Sequence, residues 1–199
     1  MPPKKTIALF DFDGTLMKGD SFVPFLFSIH GTFSALTMLS IASPILIKAG
    51  IKKGMDGMKE KFIELFFGDF ETALFYQPAK DLFDKYIHKR LIPQAIEKLK
   101  WHQSEGHTVV ICSASPDVYM NKVAEKLNVD LLVCTKLEQK GGIYTGKYDG
   151  KNCNFEQKVV MLKEKINFLD YDEIYAYGNA PGDKEMLKMA HKSFYRCYI

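Results

Sequence analysis

Two aspartates stand two residues apart in Ile7-Ala8-Leu9-Phe10-Asp11-Phe12-Asp13-Gly14-Thr15-Leu16. In an extended chain, residues two apart point to the same side, so the Asp11 and Asp13 carboxylates would share a face. Carboxylates so placed repel unless a cation lies between them or one keeps its proton. Either arrangement is chemically useful, with one carboxylate as nucleophile and the other as general acid and base. An acidic surface turn would also fit the bare Asp-x-Asp-Gly. A second group follows the apolar run Thr108–Cys112, namely Ser113-Ala114-Ser115. A hydroxyl and free backbone N–H groups at a helix start suit a phosphate. Ser113 directly follows the run and is the phosphate candidate, whereas Ser115, with Pro116 behind it, reads as an N-cap. A third group, Gly178-Asn179-Ala180-Pro181-Gly182-Asp183, offers an amide oxygen and a carboxylate four residues apart. Oxygen ligands with few soft atoms suit Mg²⁺, which keeps several waters and pairs with substrate phosphate.

The elements that must position these groups can be read from the apolar pattern. Ile7–Phe10 is a short apolar run of the kind buried on both faces in a parallel sheet, and Asp13-Gly14 reads as the turn that leaves it. After Arg90 strands alternate with helices. Helices are expected over Pro93–Gln103, from Asp117 through Leu127, over Phe155–Ile166 and over Asp183–Ala190. Strands are expected over Thr108–Cys112, Leu131–Cys134 and Ile174–Tyr177, with a hairpin turning at Gly141-Gly142. This alternation predicts an α/β fold with a doubly wound parallel sheet, whose ligands bind beyond the carboxyl ends of the strands. Between the first strand and this region the pattern is helical. Met55, Met58, Phe62, Leu65 and Phe66 recur at three- and four-residue steps, Gly68-Asp69 breaks the run, and helix resumes over Phe70–Tyr76 and from Pro78 to His88. The expected division is a catalytic core of residues 1–17 and 89–199 with an all-helical cap of residues 18–88.

Composition sets limits. The chain has 199 residues and a formal net charge of +3, enough for one core with a small insertion and too mild a charge to argue for nucleic acid. The four cysteines, Cys112, Cys134, Cys153 and Cys197, show no C-x-x-C spacing and read as reduced thiols of a cytoplasmic protein. No signal peptide is evident, since the apolar stretch after the basic start is short and ends in Asp11. Residues 21–47 carry no Asp, Glu, Lys or Arg. That length could span a membrane, but Pro24, His30, Gly31, Pro44 and several hydroxyls interrupt it. Two packed cap helices are the expected form. A membrane-surface patch is the second reading, with Lys48, Lys52 and Lys53 meeting anionic headgroups and Phe25 and Phe27 meeting lipid.

Asp11-Phe12-Asp13-Gly14-Thr15-Leu16 resembles the first motif of the haloacid dehalogenase-like hydrolases, most of which are phosphatases. Ser113 stands where that family's second motif has Ser or Thr after an apolar strand. Lys158 resembles the third-motif lysine; without the resemblance it would be one more helix lysine. Gly178-Asn179-x-x-x-Asp183 resembles the fourth motif, with Asn where Asp is usual, and so with one negative charge fewer for Mg²⁺. A helical cap placed directly after the first motif resembles the phosphoserine-phosphatase-like branch. The resemblance implies Mg²⁺-dependent hydrolysis of a phosphomonoester. In it Asp11 is the nucleophile that forms an aspartyl-phosphate, Asp13 the acid and base, and Ser113 and Lys158 neutralise the phosphoryl oxygens. Asp11, the Asp13 backbone carbonyl, Asn179 and Asp183 would ligate Mg²⁺, while Thr15, Asp20, Ser113 and Ala114 would contact substrate. The expected substrate is a small phosphorylated metabolite. Phosphoserine is an alternative, with Asp20 for its ammonium, but its carboxylate usually calls for an arginine, and Arg90 and Arg196 both lie outside the cap. Asp20-Ser21-Phe22 and the apolar run behind it resemble the phosphatidylglycerophosphate phosphatases, which makes a lipid phosphate and transient membrane contact through the cap a further alternative. A non-catalytic phosphate-binding or membrane-associated module is the alternative of another class.

Overall fold

The computed structural model describes residues 5–197. Its centre is β1 (Thr6–Phe10), in which Ile7, Ala8, Leu9 and Phe10 are all fully buried. No polar face is needed because both faces are covered, which is why the run is continuously apolar. The five-stranded sheet has the order β4-β3-β1-β7-β8, with β3 Thr108–Pro116, β4 Leu131–Thr135, β7 Glu173–Gly178 and β8 Lys192–Tyr195. All neighbours run parallel; Ala8 lies beside Val109 on one side and Tyr175 on the other. Side-chain alternation divides the core in two. Ala8, Phe10, Tyr175 and Tyr177 face the cap-side cluster, while Ile7, Leu9, Ile174 and Ala176 face the cluster with Val110, Cys112, Leu162 and Met186.

Between β1 and β3 the chain forms α1 (Phe22–His30), α2 (Thr32–Phe67), a two-residue strand β2 (Phe70–Glu71), α3 (Tyr76–Leu82) and α4 (Pro93–Ser104). The remaining helices are α5 (Asp117–Leu127), α6 (Glu156–Lys165) and α7 (Lys184–Lys188), and a hairpin is made by β5 (Leu137–Lys140) and β6 (Ile143–Tyr148). Residues 21–47 therefore hold two helices, parted at Gly31, where φ is +73°. Gly54 (φ 70°, ψ −165°) breaks α2 a second time, at a conformation open to glycine at no steric cost. The inserted segment buries Phe25, Phe66, Phe67 and Phe75 almost completely, with Phe67 stacked on both Phe25 and Phe75 and Phe25 against Tyr119 of α5. Each such ring contributes roughly 1.5–3 kcal/mol of burial, and together they hold the insertion to the core.

Several expectations are corrected. The insertion is not all-helical: β2 pairs antiparallel with β6, Phe70 opposite Tyr144, so the core hairpin lends the cap an edge to close against. Helix does not run over Phe70–Tyr76; a single 3₁₀ turn covers Thr72–Phe75, and α3 begins at Tyr76, ahead of Pro78. Ser115 is not an N-cap. β3 stays extended through Pro116 with a register irregularity after Ser113, α5 starts only at Asp117, and the Ser115 hydroxyl is drawn to Asp13 instead. Phe25 is core and Phe27 is half-buried, so neither is the lipid-facing pair that composition suggested.

Candidate active site

The site sits at the carboxyl ends of β1, β3 and β7, where parallel sheets expose loop backbone to ligands. Beyond β1 the chain folds back on Phe12, whose carbonyl accepts the amides of Thr15, Leu16 and Met17 at 3.1, 2.8 and 3.2 Å. Gly14 allows this turn at φ +78°, and it is also a close approach: a Cβ there would lie 2.1 Å from the Asn179 side-chain nitrogen. The turn holds Asp11 and Asp13 in different surroundings. Asp11 is buried, its Oδ1 accepting Lys158 Nζ at 2.7 Å and its Oδ2 accepting the Thr15 hydroxyl at 2.9 Å. Asp13 accepts the Ser21 amide at 2.8 Å and the Ser115 hydroxyl at 2.5 Å. Burial, with the charge of Asp20 next, pushes the Asp13 carboxyl up to about 7. Burial also raises Asp11, against the opposing pull of Lys158.

Lys158 comes from the first turn of α6 and is fully buried. Its ammonium donates to Asp11 at 2.7 Å, to the Cys112 carbonyl at 2.9 Å and to Asp183 at 2.6 Å. Burial works to lower its pKa, but the neighbouring charges, Asp11 foremost, raise it above the ordinary lysine range. A permanently charged ammonium is thus fixed against one face of the Asp11 carboxylate. Asp183 is occupied at both oxygens: Oδ1 holds Lys158, and Oδ2 accepts the Asn179 and Ala180 amides at 2.9 Å each. In this arrangement Asp183, expected from the sequence to ligate the metal, fixes Lys158 and the loop. Gly178 makes this possible, since a Cβ there would come within 2.6 Å of the Asp183 Cβ.

Thr15 and Asp20, expected to contact substrate, both have protein partners as well. The Thr15 hydroxyl lies between Asp11 Oδ2 and Asn179 Oδ1, 3.2 Å from the latter, and so orients those two oxygens. Asp20 borders the cavity, but its Oδ1 accepts the Phe22 and Val23 amides at 3.0 and 3.1 Å and so caps the start of α1. Ser113 is buried and lines the cavity, its Oγ accepting the Ser115 amide at 3.1 Å, which leaves its proton to offer to a ligand. Ala114 meets the cavity, but the contact that stands out is its carbonyl, which accepts Thr135 Oγ1 at 2.8 Å and the ammonium of Lys59.

Lys59, from the C-terminal half of α2, reads in the sequence as one of the lysines that could meet anionic headgroups, together with Lys48, Lys52, Lys53 and Lys61; its place in the cleft is what sequence reasoning missed. It reaches across the cleft to the Ala114 carbonyl, lies 3.4 Å from Asn152 Oδ1 and stands 5.4 Å above the Phe22 ring. Burial lowers its pKa, with Asp13, Asp20 and Asp56 acting in opposition. Beside it, Asn152 Nδ2 donates to Asp56 Oδ1 at 2.7 Å, a second bond across the cleft. The cavity, open to solvent, is about 780 Å³. Its floor carries Asp11, Asp13, Ser113 and Lys158, and its far wall is apolar, built from Phe22, Val23, Leu46, Met55, Met58 and Phe62. Neither Arg90 nor Arg196 borders it; Arg196 instead donates from Nε to the Asn179 carbonyl at 3.0 Å, bracing the loop from outside.

The donor set can be tested for a divalent cation. Among the described residues no group of three or more His, Cys, Asp or Glu side chains is gathered as a metal cage. What the structure offers is one carboxylate oxygen of Asp11, at the cavity floor, and the amide oxygen of Asn179, brought to either side of the Thr15 hydroxyl. A hard, all-oxygen set with few charges suits Mg²⁺, which retains waters and completes its shell with substrate phosphate.

The comparisons agree with this geometry. The family model of the haloacid dehalogenase-like hydrolases matches residues 8–188. Protein CicA of Caulobacter vibrioides is 31% identical over 193 residues, covering 96% of this chain and 86% of that protein. Phosphoserine phosphatase of Methanocaldococcus jannaschii is 25% identical over 196 residues, covering 96% of this chain and 84% of that one. A solved phosphoserine phosphatase, a phospho-aspartyl intermediate analogue, superposes with a TM-score of 0.63 at 23% identity, covering 96% of this chain and 86% of its own; at that identity the likeness is one of fold. With the family model spanning nearly the whole chain, this protein belongs to the haloacid dehalogenase-like hydrolases, on the side of its phosphoserine-phosphatase-like branch.

Proposed function

We propose that the chain is a phosphomonoester hydrolase that works through an aspartyl-phosphate on Asp11 and uses Mg²⁺. The observation that carries this is the division of labour between the two aspartates: Asp11 is paired with the fixed Lys158 ammonium at 2.7 Å, while burial pushes the Asp13 carboxyl, held by the Ser21 amide and the Ser115 hydroxyl, up to about 7. The first is suited to attack, the second to give and take a proton. Asp11 attacks phosphorus, and Asp13 protonates the leaving oxygen. Asp13 then takes a proton from the water that cleaves the acyl-phosphate and regenerates Asp11. Ser113 and Lys158 face the developing charge on the phosphoryl oxygens, so their contribution is positioning plus electrostatics. When bound, Mg²⁺ supplies further charge neutralisation and orients the phosphate; Asp11, the Asp13 carbonyl and Asn179 would hold it. The relative that forms a phospho-aspartyl analogue supports the same reading.

The apolar wall and the volume of the cavity favour a phosphate on a partly apolar body. A carboxylate on the substrate would find Lys59 where an arginine is usual, and an ammonium would find Asp20 or Asp56. Asp11→Asn should remove nearly all Mg²⁺-dependent hydrolysis of p-nitrophenyl phosphate with an unchanged circular dichroism spectrum, and EDTA should abolish wild-type turnover reversibly. Substantial residual turnover in Asp11→Asn would displace Asp11 as nucleophile. No turnover by wild type on any phosphomonoester of a broad panel would sink the enzyme reading.

A further inference from the structure

The N-terminal half of α2 has a face that nothing among the described residues covers. Its inward side, Ala35, Ala42 and Leu46, is buried against the cap. Its outward side would be charged in an ordinary surface helix. Here Phe33, Ile41 and Ile51 are 85%, 72% and 84% exposed, with Leu36 and Ile47 exposed between them. From Phe33 to Ile51 the ridge runs about 27 Å at 1.5 Å per residue, longer than an isolated exposed side chain would explain.

Three hydroxyls on the same exposed stretch bond back to the helix's own backbone. Thr37 Oγ1 donates to the Phe33 carbonyl at 3.0 Å, Ser40 Oγ to Leu36 at 2.9 Å and Ser43 Oγ to Ser40 at 2.9 Å. Their donors are satisfied within the helix, so the face loses little on leaving water. At its C-terminal end come Lys48, Lys52 and Lys53. Lys53 pairs with Glu60 at 3.4 Å, whereas Lys48 and Lys52 have no carboxylate partner among the described residues. An apolar ridge with self-satisfied hydroxyls, no acidic side chain and cations at one border fits the interface of an anionic bilayer. Although α2 is long and apolar enough to cross a membrane, its inward side is occupied by the protein. The helix is therefore placed to lie on the surface.

We propose that this outer face of α2 docks on anionic lipid membranes and, resting on the phosphatase reading above, that the phosphomonoester is taken from the bilayer. The same helix links the two: Leu46 and Met55 border the reaction cavity, together with Val23 of α1. The test is flotation with phosphatidylcholine vesicles, with and without phosphatidylglycerol, using wild type, F33S/I41S/I51S and K48E/K52E. Wild type should float with the anionic vesicles. Both variants should lose about tenfold or more in binding, and raised salt should mimic the lysine changes. Hydrolysis of p-nitrophenyl phosphate without vesicles should be unchanged in both variants, because none of these residues lines the cavity. Hydrolysis of phosphatidic acid in vesicles should fall in parallel with binding. Absence of wild-type flotation, or equal flotation by F33S/I41S/I51S, overturns the docking. So does a wild-type dimer that F33S/I41S/I51S converts to monomer, which would assign the face to a second copy of the chain. If p-nitrophenyl phosphate is hydrolysed but vesicle phosphatidic acid hydrolysis does not follow binding, the substrate half is overturned. If wild type hydrolyses neither, the phosphatase reading fails while flotation still decides the docking.

Discussion

Asn179 is the residue at which this site departs from its family's usual pattern, and the structure shows what surrounds it. Its side chain is pressed against Gly14, and its oxygen shares the Thr15 hydroxyl with Asp11. An amide there spares the unliganded floor a second carboxylate beside Asp11, at the cost of charge for the metal. Asn179→Asp should therefore lower the Mg²⁺ concentration for half-maximal hydrolysis by several-fold up to about tenfold. It should also lower the melting temperature without Mg²⁺ and restore it with Mg²⁺. A Mg²⁺ titration of activity and a pair of melting curves decide this; an unchanged Mg²⁺ requirement would mean that position 179 does not ligate. At this scale the sequence was legible in parts. Asp11, Asp13 and Ser113 stand out because each follows an apolar run, and all three border the cavity. Lys158 was visible only through the family resemblance. Ser115 was assigned a cap that it does not make, and the protein partners of Asp183 and Thr15 were not legible, because a pattern of types does not say which oxygen meets which donor. Lys59 was hidden among neighbouring lysines, and nothing in spacing distinguishes the one that turns inward.

Between elements, the cap closes on the core through few polar bonds. Asp56 with Asn152 and Lys59 with the Ala114 carbonyl bridge α2 to the loop after β6 and to the end of β3, and β2 zips onto β6. A hydrogen bond of this kind contributes about 0.5–1.5 kcal/mol, so losing one loosens closure without unfolding the cap. Asp56→Ala is expected to raise KM about two- to tenfold with a smaller change in kcat, since the residues on the floor are untouched. Lys59→Met, which keeps the stem and removes the charge, should cost more on substrates with a second anionic group than on p-nitrophenyl phosphate. Steady-state kinetics on a paired set of substrates check both; an equal loss of kcat in each would place these residues in chemistry instead of closure. The helices of this region were readable from three- and four-residue apolar steps. β2 was not, because two residues cannot show a period and their pairing depends on a hairpin some seventy residues away.

Across the whole molecule, the strand–helix alternation announced the doubly wound sheet, but not what packs its cap-side face. There α4 lays His102 into an aromatic layer, fully buried, edge-on to Tyr175 at 4.8 Å and near Phe10, which stacks on Tyr177 at 4.5 Å. Its Nε2 meets the Tyr177 hydroxyl at 3.0 Å and its Nδ1 meets His107 Nδ1 at 2.8 Å. Sequence reading missed this imidazole because one His on an amphipathic helix carries no signal of its partners. Burial, followed by the neighbouring His107 and Lys98, lowers its pKa to about 3. The folded state thus refuses a proton that the unfolded chain accepts near pH 6.5. The sign follows from linkage: this contribution to stability is fully present above about 6.5 and is lost as pH falls from there toward 3. The slope is at most about 1.4 kcal/mol per pH unit. His102→Gln keeps a group able to meet Tyr177 but does not titrate, so it should lower stability at pH 7.5 and flatten its dependence below pH 6.5. Urea midpoints of wild type and variant across that range make the comparison. Curves that stay parallel down to pH 4.5 would mean that acid sensitivity arises elsewhere in the molecule.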